Sequence, residues 1–456
     1  MGSFNRHPSS FKDPSGFIFE SEDKVFRQVN QSYASTYDLM MSSGLYKQLS
    51  DQGSIIKYQE VPENITGTTE WYKTLLPEQV PFITYPFEWC FEQLKDAALL
   101  TLSILRKSVE YEMILKDATP YNIQFYNGKP VFIDSLSFEK YNPKQPWVAY
   151  RQFCKNFLFP LYLEFYLHTD IQKIMSAYID GIPVDITSRL LPLKSGLNLG
   201  VWLHVYLQNS ISGNDKSGKD GSGFNKKKLL NLVSHLETII HGFHARQGKS
   251  VWSNYYEETI LGREYLQEKE KIFLEMVENI NAKCILDIGA NDGYFSKLFA
   301  ERKMQVVSID SDSRSISNLY SYVKKNNTHN ICPLVVDVAN PSPALGFNNK
   351  ERASFHERIK PDFVLALALI HHLVIGKNIS LSMLAEYFAE IAPQLIIEFV
   401  PKDDEKVKQM LATREDVFGD YTQQQFELIF STVFDIIQTT LIPGTSRILY
   451  YMKRKN

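Results

Sequence analysis

The chain has 456 residues, of which 44% are hydrophobic and 22% charged, and its formal net charge is −3. This is the composition of a globular protein, and the length predicts two or three domains. The small net charge gives no electrostatic reason to expect nucleic acid or a membrane surface as a partner. Four scattered cysteines argue against a disulfide framework and against zinc, so we expect a cytoplasmic protein.

The most apolar stretch, residues 153–167, is the only candidate for a membrane span. It contains Lys155, Pro160 and Glu164 and is too short to cross a bilayer. We therefore expect no membrane-spanning segment. The sequence gives no indication of the oligomeric state.

We expect an N-terminal α+β domain over residues 1–208. Its first strands are predicted at residues 17–29, a helix at 33–49, a further strand at 54–61 and a longer helix at 88–106. Three polar residues then follow with a spacing that is typical of a catalytic or metal-binding site: Asp117, Asn122 and Asp134. The last of them ends a predicted strand.

This pattern resembles the catalytic and metal-binding loops of protein-kinase-like and small-molecule phosphotransferase folds. The resemblance implies that Asp117 orients a hydroxyl and that Asn122 and Asp134 hold magnesium beside ATP. The sequence departs from that family because no glycine-rich phosphate loop is evident and Arg27 is the nearest cation. Three interpretations stay open: turns of an unrelated fold, a degenerate kinase-like domain, or an active phosphotransferase.

Residues 209–228 are rich in Gly, Ser, Asp and Lys and are predicted to form a flexible linker or a surface loop. A helical connector is predicted over residues 229–265, and a second domain over residues 266–456. Lys226, Lys227 and Lys228 form a short charge run, which is more often a solvated patch than a nucleic-acid site.

Strands and helices alternate in the second domain, which predicts an α/β fold with a doubly wound sheet. The strand segments are apolar without alternation, as in parallel strands that are covered on both faces. Strands are predicted at residues 284–288, 305–309, 331–336, 362–369 and 394–400, with a closing pair at 434–441 and 447–452.

The first of these strands leads into a glycine turn. Asp287, Gly289, Asn291 and Gly293 follow one another there, and the spacing differs from the three-glycine pattern of dinucleotide folds. An acid beside the turn would repel a pyrophosphate, but it can neutralise a cationic amino-acid group. This turn, with acids after the next two strands, resembles the class I S-adenosylmethionine-dependent methyltransferases, which have a seven-stranded Rossmann-like sheet.

The resemblance implies a role for each acid. Asp287 would lie near the amino group of S-adenosylmethionine, Asp310 would accept both ribose hydroxyls, and Asp337 would contact the adenine amino group. The glycines would let the backbone approach the cofactor, and Asn291 would make a polar contact.

Three further residues are candidates for the acceptor side. His371 and His372 follow the fourth strand, where the family places the reactive methyl group, so either could remove a proton from the acceptor. Alternatively, one of them caps a helix or packs on the cofactor. Glu398 lies within an apolar strand and would either face the acceptor pocket or pair with a neighbouring cation.

The segment from Asp134 to Glu139, together with residues 147–153, is similar to a bacterial group of nodulation-protein-like methyltransferases over nearly the whole chain. We therefore expect an enzyme that transfers a methyl group to a small-molecule, sugar or natural-product acceptor. The alternatives are a bifunctional kinase and methyltransferase that modifies a glycan end, and a non-catalytic scaffold with a vestigial cofactor pocket.

Overall fold

The computed structural model describes residues 4–212, 225–244, 262–278, 280–412 and 414–455. The chain divides into two compact units. Unit 1 comprises Met1–Gln247 and Pro343–Ala353, and unit 2 comprises Gly248–Ser342 and Ser354–Asn456. Within the described residues, no helix is both long enough and apolar enough to span a bilayer.

Unit 1 begins with an antiparallel sheet of five strands in the order β1-β2-β3-β5-β4. The strands are β1 (Asn5–Arg6), β2 (Gly16–Ser21), β3 (Lys24–Asn30), β4 (Tyr58–Val61) and β5 (Trp71–Pro77). Two helices, α1 (Ala34–Ser42) and α2 (Leu45–Asp51), lie between β3 and β4 in the chain. One helix was predicted here, but Gly44 takes a left-handed conformation (φ 85°) and separates the two.

The 20-residue helix α3 (Phe91–Glu110) comes next, and its length reflects a continuous apolar face. It leads to β6 (Met113–Leu115), which pairs antiparallel with β9 (Phe138–Lys140). Between them, β7 (Ile123–Tyr126) and β8 (Lys129–Phe132) form a hairpin. Asn127 and Gly128 make its two-residue turn, because both have the positive φ that a tight hairpin turn needs.

The rest of unit 1 is helical. Its α-helices are α4 (Tyr150–Phe153), α5 (Phe159–Leu167), α6 (Gln172–Ala177), α7 (Val184–Leu190), α8 (Leu199–Val201), α9 (Gln208–Ser212) and α10 (Lys226–His241). Two π-helical segments, Cys154–Leu158 and Trp202–Leu207, precede α5 and α9, and a 3-10 helix covers Leu193–Leu197.

The predicted domain boundary differs from the division of the structure. Helix α10 lies in unit 1, where Arg106 of α3 pairs with Glu237. The predicted linker, residues 209–228, overlaps helices of the same unit at both ends, because residues 209–212 belong to α9 and residues 226–228 to α10. Its residues 213–224, and residues 245–261 of the predicted connector, lie outside the described residues.

Unit 2 contains the predicted seven-stranded sheet, in the order β12-β11-β10-β13-β14-β16-β15. The strands are β10 (Cys284–Ile288), β11 (Gln305–Asp310), β12 (Ile331–Val335), β13 (Phe363–Ala366), β14 (Gln394–Phe399), β15 (Phe434–Leu441) and β16 (Ile448–Arg454). The first five are parallel, and β16 runs antiparallel to both β14 and β15.

The helices of unit 2 are α11 (Gly262–Met276), α12 (Tyr294–Glu301), α13 (Ser313–Asn326), α14 (Phe355–Arg358), α15 (Leu381–Ile391), α16 (Glu405–Leu411) and α17 (Gln423–Phe430). Their apolar residues pack with those of the strands. The core includes Phe273 of α11, Phe295 and Phe299 of α12 and Leu319 of α13. This packing fixes α11 and α12 beside the loop that leaves β10.

Strand β13 is shorter than predicted. It ends at Ala366, and Ala368 has a left-handed backbone (φ 48°) that no strand can continue. A π-helical turn, His372–Gly376, follows. The bend is rich in apolar residues because much of it is buried. The apolar run therefore extends past the end of the strand, and the sequence predicts a strand that is too long.

Candidate functional site

The loop after β10 is built on three left-handed residues. Gly289 (φ 75°), Asn291 (φ 51°) and Gly293 (φ 77°) turn the chain sharply, and Gly293 caps the N-terminus of α12. Its positive φ favours glycine, and a Cβ at this position would lie 2.4 Å from Leu319 Cδ1, so any other residue would also have to displace the buried Leu319 side chain. The loop therefore presents the N-terminal turn of α12 at the carboxyl end of β10.

Asp287 lies within β10 and is buried, with 3% of its surface exposed. Ser296 of α12 donates a hydrogen bond of 2.5 Å to Asp287 Oδ2, and the same hydroxyl lies 2.8 Å from Ser308 Oγ. Burial raises the pKa of Asp287 to about 7, and the nearby Asp310 contributes to the rise. The group can therefore change its charge near neutral pH.

Asp310 ends β11 and faces the same loop. Its two carboxylate oxygens accept backbone N–H groups from Asn291 and Asp312, both at 2.9 Å. Burial raises the pKa of Asp310 despite these bonds. Each carboxylate oxygen has a further lone pair, so Asp310 can hold the loop and still accept hydroxyl donors.

Asp337 lies two residues beyond β12. It accepts the backbone N–H of Ala339 at 3.0 Å, and Lys377 Nζ lies 3.4 Å from its other oxygen. Because β12, β11 and β10 are neighbours in the sheet, the three predicted acids lie at one edge of it. Within the described residues, a cavity of about 460 Å³ lies along α11, beside Glu270 and Arg302, and none of the three acids lines it.

His371 and His372 lie where β13 gives way to the π-helical turn. Their ring centroids are 4.1 Å apart. Burial lowers the pKa of both, to about 4 for His372, and the nearby cation Arg447 adds to the effect. Among the described residues, neither ring nitrogen of His371 has a hydrogen-bond partner, although the side chain is fully buried.

Glu398 of β14 is fully buried and accepts four hydrogen bonds. Its donors are Lys269 Nζ (2.5 Å), Tyr265 OH (2.8 Å), the backbone N–H of Ala368 (2.9 Å) and Arg447 Nη1 (3.4 Å). Burial alone would raise the pKa of Glu398, but the two cations outweigh it and hold the pKa below its usual value. These contacts agree with the alternative in which Glu398 pairs with neighbouring cations, rather than the one in which it faces an acceptor pocket.

Lys269, Arg447 and Tyr265 were not singled out from the sequence. Arg447 also donates two hydrogen bonds to Asp404, at 2.7 and 3.1 Å. Lys269 lies on α11, so the buried cluster joins this helix to the bend after β13. The sequence does place Lys269 on the apolar face of α11, which indicates a buried ion pair. Its partner Glu398 is 129 residues away, so the sequence does not show which carboxylate it meets.

The three polar residues of unit 1 also come together. Asn122 donates to Ser137 Oγ (3.0 Å), and Ser137 donates to Asp134 Oδ2 (2.7 Å). Arg27 of β3 forms an ion pair with Asp134. Burial, with the charge of Asp134, raises the pKa of Asp117. In the described part of the chain, no group of three or more His, Cys, Asp or Glu residues could hold a metal ion.

Comparison with known proteins identifies the relatives of this chain. It is 31% identical to nodulation protein NoeA of Rhizobium meliloti (strain 1021) over 460 residues, which cover 98% of this chain and 96% of that protein. The chain belongs to the NoeA family. No family model matches the sequence. The predicted resemblance to nodulation proteins is confirmed.

Solved structures give weaker similarities to this NoeA-family chain. N-methyltransferase NodS from Bradyrhizobium japonicum WM9, in complex with S-adenosyl-L-homocysteine, is 12% identical over 45% of this chain and 94% of that one, with a TM-score of 0.34. An rRNA methylase from Escherichia coli is 14% identical over 50% of this chain and 73% of that one, with a TM-score of 0.29. Such similarities do not assign a fold by themselves.

Proposed function

We propose that this NoeA-family protein is a class I S-adenosylmethionine-dependent methyltransferase and that unit 2 holds the cofactor. One observation carries the proposal: a sheet of order β12-β11-β10-β13-β14-β16-β15 has an acid near the carboxyl end of each of three neighbouring strands, beside a loop with two left-handed glycines. Ligands of open α/β sheets bind at the carboxyl ends of such strands.

The residues at this edge fit the cofactor. Asp287 would face its ammonium group, Asp310 its ribose hydroxyls and Asp337 its adenine amino group. The buried, unpartnered ring nitrogens of His371 are consistent with a ligand nearby, because buried polar atoms normally have partners. When bound, S-adenosylmethionine supplies an electrophilic methyl group.

The chain's own residues would then bind and orient the acceptor. With their lowered pKa values, His371 and His372 are neutral at pH 7 and can accept a hydrogen bond from the acceptor, and burial makes both weaker bases than a free imidazole. Glu398 would act as a positioning residue, because it accepts the N–H of Ala368 at the bend that leads to the histidines. A small-molecule, sugar or natural-product acceptor suits a chain without a strong basic charge.

The proposal is tested by titrating S-adenosylmethionine into the full chain in a calorimeter. We expect Asp310→Ala to weaken binding by about a hundredfold, because two hydrogen bonds to a charged group are lost. Asp435→Ala, at an exposed strand position, is the matched control. Circular dichroism checks that both variants fold. Unchanged affinity in Asp310→Ala would contradict the ribose assignment, and no binding by the parent chain would favour the scaffold alternative.

A second candidate function concerns unit 1, for which we propose a kinase-like fold. Three features support it: the five-stranded antiparallel sheet with helices between β3 and β4, the pairing of β6 with β9, and the hairpin β7–β8 that separates Asn122 from Asp134. The ion pair with Arg27 engages Asp134, which favours a degenerate site over an active one.

Magnesium-dependent ATP binding tests this second candidate. The full chain is titrated with ATP in the presence and absence of Mg²⁺, beside Asp134→Asn and the control Asp51→Asn. Binding that requires Mg²⁺ and is lost in Asp134→Asn would support a bifunctional enzyme. If the parent chain binds no nucleotide, unit 1 is left with a recognition role.

A further inference from the structure

The bend after β13 contains a strained residue. Ala368 has a left-handed backbone (φ 48°), which is sterically unfavourable for a residue with a Cβ. Such residues persist only where their surroundings hold them, and they are frequent at active sites. The next residue, Leu369, packs against the glycine loop, because its Cδ1 lies 3.3 Å from the position of a Cβ on Gly289. The strain therefore lies where the bend meets the loop of the candidate cofactor site.

One carboxylate oxygen holds this bend in place. Glu398 Oε2 accepts both the backbone N–H of Ala368, at 2.9 Å, and the ammonium group of Lys269, at 2.5 Å. Because Glu398 is fully buried, it can stay ionised only beside cations. Lys269 does more than Arg447 to keep the pKa of Glu398 below its usual value. The charge of the group that holds Ala368 thus depends chiefly on Lys269.

Helix α11, which carries Lys269, contacts both sides of the candidate site. Lys269 is 1% exposed, and its Nζ lies 5.2 Å from the centre of the Phe295 ring in the first turn of α12. The neighbouring Glu270 accepts a hydrogen bond of 2.5 Å from Tyr294 OH in the same turn. Replacing a buried ion pair by apolar residues of similar volume often leaves stability unchanged. The geometry that Lys269 imposes therefore explains its burial better than stability does.

We propose that Lys269 is a positioning residue for methyl transfer: its ammonium group holds the Glu398 carboxylate, which in turn fixes the bend that leads to His371 and His372. The inference rests on the proposed function, because the position of this bend matters for transfer only if unit 2 holds the cofactor. It adds to the site a residue of α11, outside the glycine loop and the strand ends. Loss of the Lys269 charge should therefore change the hydrogen bond at the bend itself.

The amide resonance of Ala368 tests the inference in the full chain. A hydrogen bond to a carboxylate is shorter and stronger than one to a neutral carboxyl group, so this resonance reports the charge of Glu398. Lys269→Met removes the cation, and Lys271→Met, at an exposed lysine of α11, is the matched control. All chains carry Asp287→Asn, because the pKa of Asp287 is about 7. Between about pH 5 and pH 8 the resonance should titrate in Lys269→Met alone, because burial then raises the pKa of Glu398 with less compensation.

A second variant and a cofactor titration complete the test. Lys269→Gln, which also lacks the charge, replaces Lys269→Met if that variant does not fold. With the native Asp287, saturating S-adenosylmethionine should shift the Ala368 resonance of the parent chain, because the bend packs against the glycine loop. A resonance that does not titrate without the Lys269 charge, or that bound cofactor leaves unchanged, would overturn the inference while the proposed function stands. A parent chain that binds no S-adenosylmethionine in the calorimeter would overturn the proposed function, and with it the role of Lys269 in methyl transfer.

Discussion

Gly293 and Gly444 form a natural pair for testing how the cofactor loop is held. Both have a left-handed backbone, with φ of 77° and 74°, so alanine at either position strains the chain by about 1–2 kcal/mol. A Cβ at Gly444 meets nothing within 4 Å, whereas at Gly293 it would lie 2.4 and 2.7 Å from the methyl carbons of Leu319. Overpacking of this kind adds about 1–3 kcal/mol. We therefore expect Gly293→Ala to cost about 2–5 kcal/mol and Gly444→Ala about 1–2 kcal/mol.

Hydrogen–deuterium exchange of the slowest amides of β10 measures the cost within unit 2, without assuming that the whole chain unfolds in one step. A double-mutant cycle isolates the contact. Leu319→Ala is itself destabilising, but in its presence the added cost of Gly293→Ala should fall by about 1–3 kcal/mol, because the clash has gone. Equal costs for the two glycine variants, or no coupling to Leu319, would refute the steric explanation.

Two further predictions concern buried charge. The pKa of Asp287 is raised to about 7. The protonated carboxyl therefore adds about 4 kcal/mol to the free energy of unfolding below pH 4, and this contribution is lost progressively as the pH rises from 4 through 7. A bound cation would favour the carboxylate form of Asp287, so S-adenosylmethionine binding at pH 6 should release a proton. Calorimetric titrations in buffers of different ionisation enthalpy measure this proton release. The variant Asp287→Asn should bind without releasing the proton. Glu398→Gln should lower the free energy of unfolding of unit 2 by about 3–5 kcal/mol, because Lys269 and Arg447 stay buried without the negative charge of Glu398 beside them. In the same exchange experiment, Asp416→Asn at an exposed pair should cost under about 1 kcal/mol, and equal losses would contradict the burial argument.

Local pattern was enough to predict most elements of unit 2. Strands β10 and β15 begin and end at the predicted residues, and the glycine loop follows β10 as expected. These features depend on residues close in the chain: an apolar run, a turn that needs positive φ, and an amphipathic helix. Strand β13 was predicted too long because burial and strand formation give the same apolar signal.

By itself, then, the sequence determined the α/β class, the loop and the order of the three acids along the chain. Only the tertiary structure decided what surrounds them. The cations beside Glu398 come from α11 and from Arg447 just before β16, and Arg27 reaches Asp134 across 107 residues of sequence. The outward direction of Leu193 and Leu197 was likewise decided by packing. Which charges are buried together, and which apolar groups remain exposed, depends on contacts between distant segments, and no local pattern encodes those contacts.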